Sequence, residues 1–334
     1  MKWRAFIVIF IGILGGLYFR TGANNNDEDD DKMMKNAVRT VSRTIAKKVF
    51  APERPEGAGA LVRRSIGTRE IRHFTPFLML DHLVGAGKGF PDHPHRGQET
   101  ITYVLRGNVD HEDFTGAKGT IGPGDLQFMT AGRGIVHAEM PRVDEDGRAP
   151  EMMQLWVDLP EELKDTEPRY RDLLAKEIPI VNPDDNVEVR VISGEAYGVK
   201  SVQNLAYTPV VFYDYKVQPG GFIRQPVPDD FNVFLYVMKG SIRINGQEKV
   251  DQFYNAVFNE EGNTIAISVN VSAEDEARFI LVGGKKLDQE IHQNGPFVET
   301  TKEKIQRAFF DFKACVNGFE RANKWQSEIG KRMK

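Results

Sequence analysis

Two short segments of the chain carry side chains that could bind a metal ion. His93 and His95 are two residues apart, and His137 and Glu139 repeat that spacing. In an extended strand, side chains at positions i and i+2 lie on the same face. If the two segments face each other inside a barrel, three neutral imidazoles and one carboxylate converge. This ligand set suits Fe, Mn, Ni, Cu or Zn. On an octahedral ion it leaves positions open for O2 or an enolate-type substrate.

Glu99 is a further candidate beside this set. It follows His95 by four residues, at the start of the next predicted strand. It could be a fifth ligand, or it could accept a hydrogen bond from an imidazole N–H behind the metal. The remaining histidines are interpreted as surface or hydrogen-bonded structural residues: His73, His82, His111 and His292.

Short β-strands must position these side chains. The segments 99–106 and 152–157 are rich in apolar, β-branched and aromatic residues, which is typical of strands. The segment 103–109 is similar to 236–242: each has a hydrophobic strand, a basic residue, a glycine turn and a returning strand. The repeat indicates a duplicated β-barrel.

The composition also favours an all-β protein of two domains. The chain has 334 residues, of which 40% are hydrophobic, enough for one large core or two ordinary ones. Its 31 Gly and 17 Pro favour a turn-rich β-fold. Near the C-terminus the apolar spacing becomes helical over 305–315, and 319–329 is predicted to form a second helix. We divide the chain into an N-terminal leader and linker (1–40), a first barrel with the metal site (41–180), and a second barrel with the C-terminal helices (181–334).

The charge distribution excludes a direct nucleic-acid-binding role for the globular part. Residues 1–50 carry nine Lys/Arg and five Asp/Glu, while the whole chain has a net charge of −4. The rest of the chain is therefore acidic and lacks the basic footprint that phosphate backbones require. The single cysteine, Cys315, excludes a disulfide within the chain and is interpreted as a small buried apolar residue.

The N-terminal residues have the pattern of a targeting segment. Residues 5–19 form an apolar run after Lys2 and Arg4. As a helix the run spans roughly 22 Å, short of a bilayer core of ~30 Å. It is typical of a signal peptide or a short signal anchor, which predicts a secretory-route or organelle-membrane location and membrane contact through this run. Residues 32–52 contain six basic and no acidic residues, with apolar residues at helical spacing. They form either a membrane-lying or transit helix or a solvated linker that joins the first strand.

Longer stretches around the candidate ligands resemble the pirin family. The order His-x-His, Glu, a glycine turn, Pro-Gly-Asp and a third His is that of a cupin metal site. The segments FPDHPHRG at 90–97 and MTAGRGIVHAEMP at 129–141 are similar to pirin signatures. Other similar segments lie at 62–67, 192–198, 295–298 and 317–322. The resemblance covers roughly residues 41–331, and the leader lies outside it.

The resemblance implies a specific fold and metal site. It implies two cupin (jelly-roll-like) β-barrels packed face to face, with short C-terminal helices. It places the four metal ligands of the family on His93, His95, His137 and Glu139. The implied cofactor is Fe(2+), with other divalent transition metals as alternatives.

The resemblance also implies two candidate functions. One is quercetin 2,3-dioxygenase activity on a flavonol-like molecule, in which Glu139 would be both a ligand and the catalytic proton acceptor. The alternative is a non-catalytic iron and redox sensor that binds a regulatory protein, as a transcription co-regulator with a cytoplasmic or nuclear location.

The second barrel is predicted to lack a metal site. The repeat offset of 133 residues places Pro226 and Pro228 where the first barrel has its His-x-His pair. The interval 138–291 contains no histidine.

In the first barrel, Gln98 stands where we expect an aromatic residue in the family, which changes the polarity of the pocket. We predict a monomer.

Overall fold

The computed structural model of the chain describes residues 40–56, 59–85, 89–202 and 205–331. In these ranges nearly all regular structure is β-strand, so the all-β prediction is confirmed. The helical content of the described residues is confined to two short 3₁₀ turns and two helices near the C-terminal end.

The strands are numbered in chain order. Those up to residue 173 are β1 (Ile45–Phe50), β2 (Glu53–Glu56), β3 (Ala60–Ile66), β4 (Phe77–Val84), β5 (Phe90–His95), β6 (Gln98–Arg106), β7 (Asn108–Asp113), β8 (Lys118–Ile121), β9 (Leu126–Thr130), β10 (Ile135–Arg142), β11 (Glu151–Asp158) and β12 (Arg169–Leu173). Those that follow are β13 (Ile180–Asp184), β14 (Val187–Ser193), β15 (Glu195–Ala196), β16 (Val199–Lys200), β17 (Val210–Val217), β18 (Phe222–Pro226), β19 (Phe231–Lys239), β20 (Ser241–Ile244), β21 (Glu248–Asp251), β22 (Tyr254–Phe258), β23 (Thr264–Ser268), β24 (Ala277–Lys285), β25 (His292–Asn294) and β26 (Phe297–Glu299). The helices are α1 (Lys302–Ala314) and α2 (Glu328–Lys331).

Each half of the molecule consists of one large and one small antiparallel sheet. In the first half, a seven-stranded sheet of order β12-β9-β6-β11-β4-β3-β2 accompanies a four-stranded sheet of order β5-β10-β7-β8. In the second half the orders are β1-β22-β19-β24-β17-β14-β13 and β18-β23-β20-β21. Apolar residues of the two sheets share one buried cluster in the first half, for example Val104 and Met152 with Val109 and Ile121. This arrangement is a jelly roll, and the molecule contains two of them.

The sequence repeat occupies equivalent places in the two large sheets. β6 lies between β9 and β11, and β19 lies between β22 and β24. Each of these central strands is buried along nearly its whole length, which is why the repeated segments Tyr-Val-Leu and Tyr-Val-Met have consecutive apolar residues rather than an alternating pattern. Each is followed by a glycine with a positive φ, Gly107 at 78° and Gly240 at 72°, where the chain turns into the small sheet.

The two large sheets pack face to face, as predicted. One buried apolar cluster contains side chains from both halves. Phe77 of β4 meets Phe234 of β19 edge to face, with 4.9 Å between ring centroids. Tyr103 of β6 donates a hydrogen bond of 2.6 Å to the carboxylate of Asp214 on β17. The interface therefore combines aromatic packing with a buried polar contact that fixes how the sheets meet.

The first described strand belongs to the large sheet of the second half. β1 pairs with β22 in antiparallel register, from Ile45 opposite Phe258 to Phe50 opposite Tyr254. Of the two interpretations of residues 32–52, the linker that joins a strand therefore agrees with the described part, and a helix over residues 45–49 is wrong. This segment was predicted to belong to the first barrel, whereas its pairing partner, β22, lies in the second half. The predicted boundary near residue 180 and the predicted monomer stay predictions.

The C-terminal residues pack on the first half. Thr301 caps α1 by accepting a hydrogen bond of 3.2 Å from the backbone N–H of Lys304. Ile305, Ala308 and Phe319 lie in one buried cluster with Met129 and Ile135 of the first half. The helix predicted over 319–329 is wrong: turns occupy 319–324, and α2 has four residues.

The predicted membrane location is corrected by the structure. None of the helices in the described ranges is long and apolar enough to cross a bilayer. The prediction of a secretory-route or organelle-membrane location is therefore contradicted. It was based on residues 5–19, which lie outside the described residues.

Candidate metal centre

The predicted ligands lie on two adjacent strands of the small sheet in the first half. β5 and β10 are antiparallel, and His93 pairs directly with His137. His95 is two residues along β5, and Glu139 is two residues along β10, beyond a bulge in the register. Strand alternation therefore directs these side chains to one face of the sheet, as the His-x-His and His-x-Glu spacings predict.

The structure brings the three imidazoles together. One ring nitrogen from each of His93, His95 and His137 lies within 4.8 Å of the other two. The ring centroids are 4.4 Å apart for His93 and His137, 4.9 Å for His93 and His95, and 5.0 Å for His95 and His137. In the described ranges this is the one such group of three or more His, Cys, Asp or Glu side chains. The three nitrogens are spaced as ligands of a single ion.

Each imidazole has a partner at Nδ1. His93 donates from Nδ1 to the carbonyl oxygen of Pro91 at 2.8 Å. The Nδ1 atom of His137 lies 3.3 Å from the hydroxyl of Tyr170. That of His95 lies 2.6 Å from the side-chain amide of Gln98. A ring whose Nδ1 donates, as that of His93 does to Pro91, keeps the lone pair of Nε2 for a metal.

The Nε2 atom of His137 is a buried polar atom without a hydrogen-bond partner. An orphaned lone pair of this kind is costly unless a ligand satisfies it. Burial lowers the pKa of His93, and Glu139 partly offsets this effect. Burial and repulsion between the rings hold the pKa values of His95 and His137 well below the ordinary value. The rings are therefore neutral ligands, and the donor set fits a divalent transition metal.

Glu139 lies beside this cluster but is not one of its three members. Its carboxylate accepts hydrogen bonds from the hydroxyl of Thr102 at 2.9 Å and from the amide of Gln154 at 3.2 Å. Both donors belong to the large sheet, so the Glu139 side chain reaches from β10 toward that sheet, and Glu139 lines the same cavity as His93 and His95. A fourth ligand at Glu139 stays a prediction.

The structure does not bring Glu99 to the imidazoles. Its carboxylate accepts hydrogen bonds from the hydroxyl of Thr130 and from the backbone N–H groups of Tyr207 and Thr208, at 2.6 to 3.1 Å. Burial raises its pKa, and these hydrogen bonds oppose the effect. Because neighbouring residues of β6 point to opposite faces, Gln98 faces the histidines and Glu99 faces the chain that leads into the second half.

Sequence reasoning missed three residues that surround the ligands: Thr102, Gln154 and Tyr170. It singled out Gln98 for the polarity of the pocket, but not as a partner of His95. Alternation along β6 could have identified Thr102, because it shares a face with Gln98 four residues away. Gln154 and Tyr170 lie on strands distant in sequence from the ligands, so no local spacing points to them.

The turn between β5 and β6 is fixed by the C-terminal segment. Between His95 and Gln98, Arg96 donates to Asp311 of α1 at 2.9 Å and to the carbonyl of Arg133 at 2.6 Å. Arg96 also donates to the carbonyl of Asn317. Both members of the Arg96–Asp311 pair are almost fully buried. The position of the turn, and of the two residues that flank it, therefore depends on α1.

His93, His95 and Glu139 line a cavity of about 810 Å³. This volume is within the range of about 300–1,000 Å³ typical of small-molecule sites. The walls are largely apolar and include Val62, Leu78, Met79, Leu83, Phe90, Met152 and Trp156. The hairpin β25–β26 forms part of the mouth, where Gln293 lies 3.0 Å from Nε2 of His73.

The equivalent region of the second half has no comparable group of ligands among the described residues. Pro226 and Pro228 line a cavity of about 610 Å³ together with Tyr213 and Arg224. The absence of a metal site from the second barrel stays a prediction.

Two jelly-roll domains packed through their large sheets, with a histidine cluster in the first, define a two-domain cupin with one candidate metal centre. Comparison with known proteins gives the family. The chain belongs to the pirin family: the model of the Pirin domain matches residues 59–157, and that of the Pirin C-terminal cupin domain matches residues 212–318. The family resemblance and the two-cupin fold predicted from the sequence are thereby confirmed.

Relatives from distant organisms match most of this chain. Pirin from Homo sapiens is 44% identical over 296 residues, covering 86% of this chain and 99% of its own length. A pirin-like protein from Caulobacter vibrioides is 40% identical over 276 residues, covering 81% of this chain and 97% of its own. Among solved structures, quercetin 2,3-dioxygenase from Acinetobacter baumannii superposes with a TM-score of 0.76 at 31% identity, covering 82% of this chain and 98% of that one.

Proposed function

We propose that this protein is a metal-dependent dioxygenase that cleaves flavonol-type molecules at the first cupin domain. One divalent ion, Fe(2+) in the first instance, would be held by His93, His95, His137 and Glu139. The observation that carries the proposal is the convergence of three neutral imidazoles, one with an orphaned buried Nε2, where two of them, His93 and His95, line a largely apolar cavity. The similarity to quercetin 2,3-dioxygenase from Acinetobacter baumannii supports this choice of reaction.

The cavity suits a planar, largely apolar substrate. Its volume of about 810 Å³ admits a molecule with several fused or linked rings. Trp156 stands edge to face against His95, with ring centroids 5.0 Å apart, and so places an aromatic surface beside the ligands. Most of the cavity wall is apolar, which suits the rings of such a substrate.

Glu139 is the proposed proton acceptor. Its carboxylate faces the same cavity as the histidines and would take the proton from the enolic hydroxyl of a flavonol. Thr102 and Gln154 hold the carboxylate by hydrogen bonds, so it is oriented before the substrate arrives. When bound, a redox-active divalent ion supplies a Lewis acid for the substrate oxygen and a path for electrons to O2.

The proposal is tested by O2 uptake with quercetin on the full chain loaded with Fe(2+). The variant Glu139→Gln removes the base while keeping the size of the side chain. We expect turnover to fall by about 10²–10⁴-fold, the usual contribution of a general base, while the three histidines retain most of the bound iron. Glu145→Gln is the matched control, because Glu145 is an exposed residue outside the cavity.

Two outcomes would contradict the proposal in different ways. Unchanged turnover in Glu139→Gln would exclude Glu139 as the base. Iron bound without flavonol-dependent O2 uptake in the unmodified chain would exclude the dioxygenase. The second result would favour the alternative from the sequence, a non-catalytic iron and redox sensor that binds a regulatory protein.

A further inference from the structure

We propose that Gln98 is a positioning residue that selects the tautomer of His95 and thereby sets the affinity of the centre for its metal. The inference rests on the proposed metal site and adds a residue outside the predicted ligand set. Gln98 would touch neither the metal nor the substrate. It would act on the metal only through the ring of His95.

The geometry leaves the two side chains little freedom. The amide of Gln98 lies 2.6 Å from Nδ1 of His95, across a turn of three residues. Gln98 is fully buried and His95 is 1% exposed, so water does not compete for either group. Trp156 packs edge to face against the ring of His95. The ring is therefore held in place, and its remaining variable is the nitrogen that carries the proton.

An amide can present either of two atoms to the ring. If its nitrogen faces Nδ1, the amide donates, the ring proton moves to Nε2, and Nε2 cannot bind a metal. If its oxygen faces Nδ1, the amide accepts, the ring proton stays on Nδ1, and the Nε2 lone pair is free. A half-turn of the amide about its last bond exchanges these two arrangements.

Hydrogen bonding of the amide does not decide strongly between the two arrangements. With the amide nitrogen toward His95, Oε1 of Gln98 is buried and has no hydrogen-bond partner. The half-turn gives that oxygen the N–H of His95 and moves the amide nitrogen to the place of the orphaned oxygen. Each arrangement therefore leaves one end of the amide unpaired, and a metal, which needs the Nε2 lone pair of His95, selects the half-turned one.

The other two histidines have different partners at Nδ1. The partner of His93 is the carbonyl oxygen of Pro91, which can only accept. Its tautomer is therefore fixed by the backbone. The partner of His137 is the hydroxyl of Tyr170, which can accept without any exchange of heavy atoms. Of the three ligands, His95 is the one whose tautomer depends on the orientation of an amide.

The test compares two substitutions with opposite hydrogen-bonding character. Gln98→Met has a similar length and only a weakly accepting sulfur. We expect it to weaken metal binding by about 10–100-fold, the usual effect of losing a partner behind a ligating histidine. Gln98→Glu places a carboxylate, an acceptor, at the same point. We expect it to bind metal at least as tightly as the unmodified chain.

The measurement is the dissociation constant of Co²⁺, from its visible absorption, in the full chain under chelator competition. Nitrogen-15 NMR of the histidine rings reports the tautomer directly, and in Gln98→Glu His95 should carry its proton on Nδ1. Gln127→Met is the matched control. It removes a second buried glutamine of the same large sheet, whose amide donates to Asp172 rather than to a proposed ligand. Its metal affinity should match that of the unmodified chain.

A merely structural role would weaken metal binding equally in Gln98→Met and Gln98→Glu, and that result would overturn the inference. An unchanged affinity in Gln98→Met would overturn it as well, as would a chain that binds no Co²⁺ at all. These readouts do not depend on oxygen chemistry. A chain that binds Co²⁺ as described but shows no O2 uptake in its iron form would contradict the dioxygenase and leave the role of Gln98 standing.

Discussion

Replacing Gly97 by alanine should damage the metal centre through the backbone alone. Gly97 lies in the turn between His95 and Gln98, with φ at +75°. A Cβ at this position would lie deep inside van der Waals contact with the carbonyl oxygen of Val298 and 3.1 Å from its carbonyl carbon. The turn and the β25–β26 hairpin cannot both keep their positions in this variant.

The expected loss of stability has two parts. Alanine in the left-handed region costs about 1–2 kcal/mol. Moving the Val298 carbonyl also disturbs its hydrogen bond of 3.3 Å from Lys164 Nζ, and the bond of 3.0 Å between the Val298 N–H and the carbonyl of Arg96. A hydrogen bond to a charged group contributes about 1.5–3 kcal/mol. The total is about 2.5–5 kcal/mol.

Gly198→Ala is the matched control for the first part. Gly198 has φ at +77°, almost the same value, but a Cβ there would have no atom within 4 Å. It should therefore lose only the conformational part, about 1–2 kcal/mol. Urea unfolding of both variants, followed by circular dichroism, gives the two free energies of unfolding. Titration with Co²⁺ should show weaker binding in Gly97→Ala than in Gly198→Ala.

If Gly97→Ala lowers the free energy of unfolding no more than Gly198→Ala does, the predicted clash with Val298 is refuted. That result would mean that the turn can move away from Val298 without loss. If Gly97→Ala is strongly destabilised but binds Co²⁺ normally, the turn does not position the ligands.

Two further predictions concern the supports of the centre. Asp311→Asn leaves Arg96 buried without its counter-charge and should lower the free energy of unfolding by about 3–5 kcal/mol. Glu320→Gln is the control: it removes an exposed contact of 4.0 Å and should lower the free energy of unfolding by less than about 1 kcal/mol. Equal losses for the two variants in urea unfolding would contradict the stabilising role of the Arg96–Asp311 pair. The second prediction concerns pH. The hydrogen bond from His82, with further help from Arg106, lowers the pKa of Glu151 below its ordinary value of 4.5. The stabilisation is therefore present above about pH 4.5 and is lost as the pH falls through the lower pKa of the folded state. Glu151→Gln should flatten stability against pH in that acid range, and an unchanged acid slope would exclude this role.

The ligand spacing was predictable because it depends only on local geometry. Alternation along an extended strand places His93 and His95 on one face, and the same rule applies to His137 and Glu139. The repeat around Tyr103 and Tyr236 was visible for a similar reason, since a segment of a central strand that is buried on both faces favours consecutive apolar residues. The all-β class followed from such patterns, whereas the face-to-face barrels were implied by the resemblance of longer segments to the pirin family.

Features that depend on distant partners were not predictable from spacing. Residues 45–49 continue a helical spacing of apolar residues, yet they form a strand because β22, about 200 positions later, offers an open edge. Glu99 was predicted to lie beside the ligands because it follows His95 by four residues. The turn at Gly97 instead directs the side chain of Gln98 to His95. Asp311 could not be linked to the ligands, because its buried pair with Arg96 joins α1 to a turn far away in sequence.

The central claim is that His93, His95 and His137 form one metal centre. The most direct test is the iron content of the full chain after loading with Fe(2+) and removal of excess metal, compared with His137→Ala and with His292→Ala. His292 lies outside the cluster, and its Nε2 is paired with Glu290 at 2.8 Å. We expect one iron per chain in the unmodified protein and in His292→Ala, and we expect His137→Ala to retain no iron. Equal iron content in all three proteins would contradict the central claim.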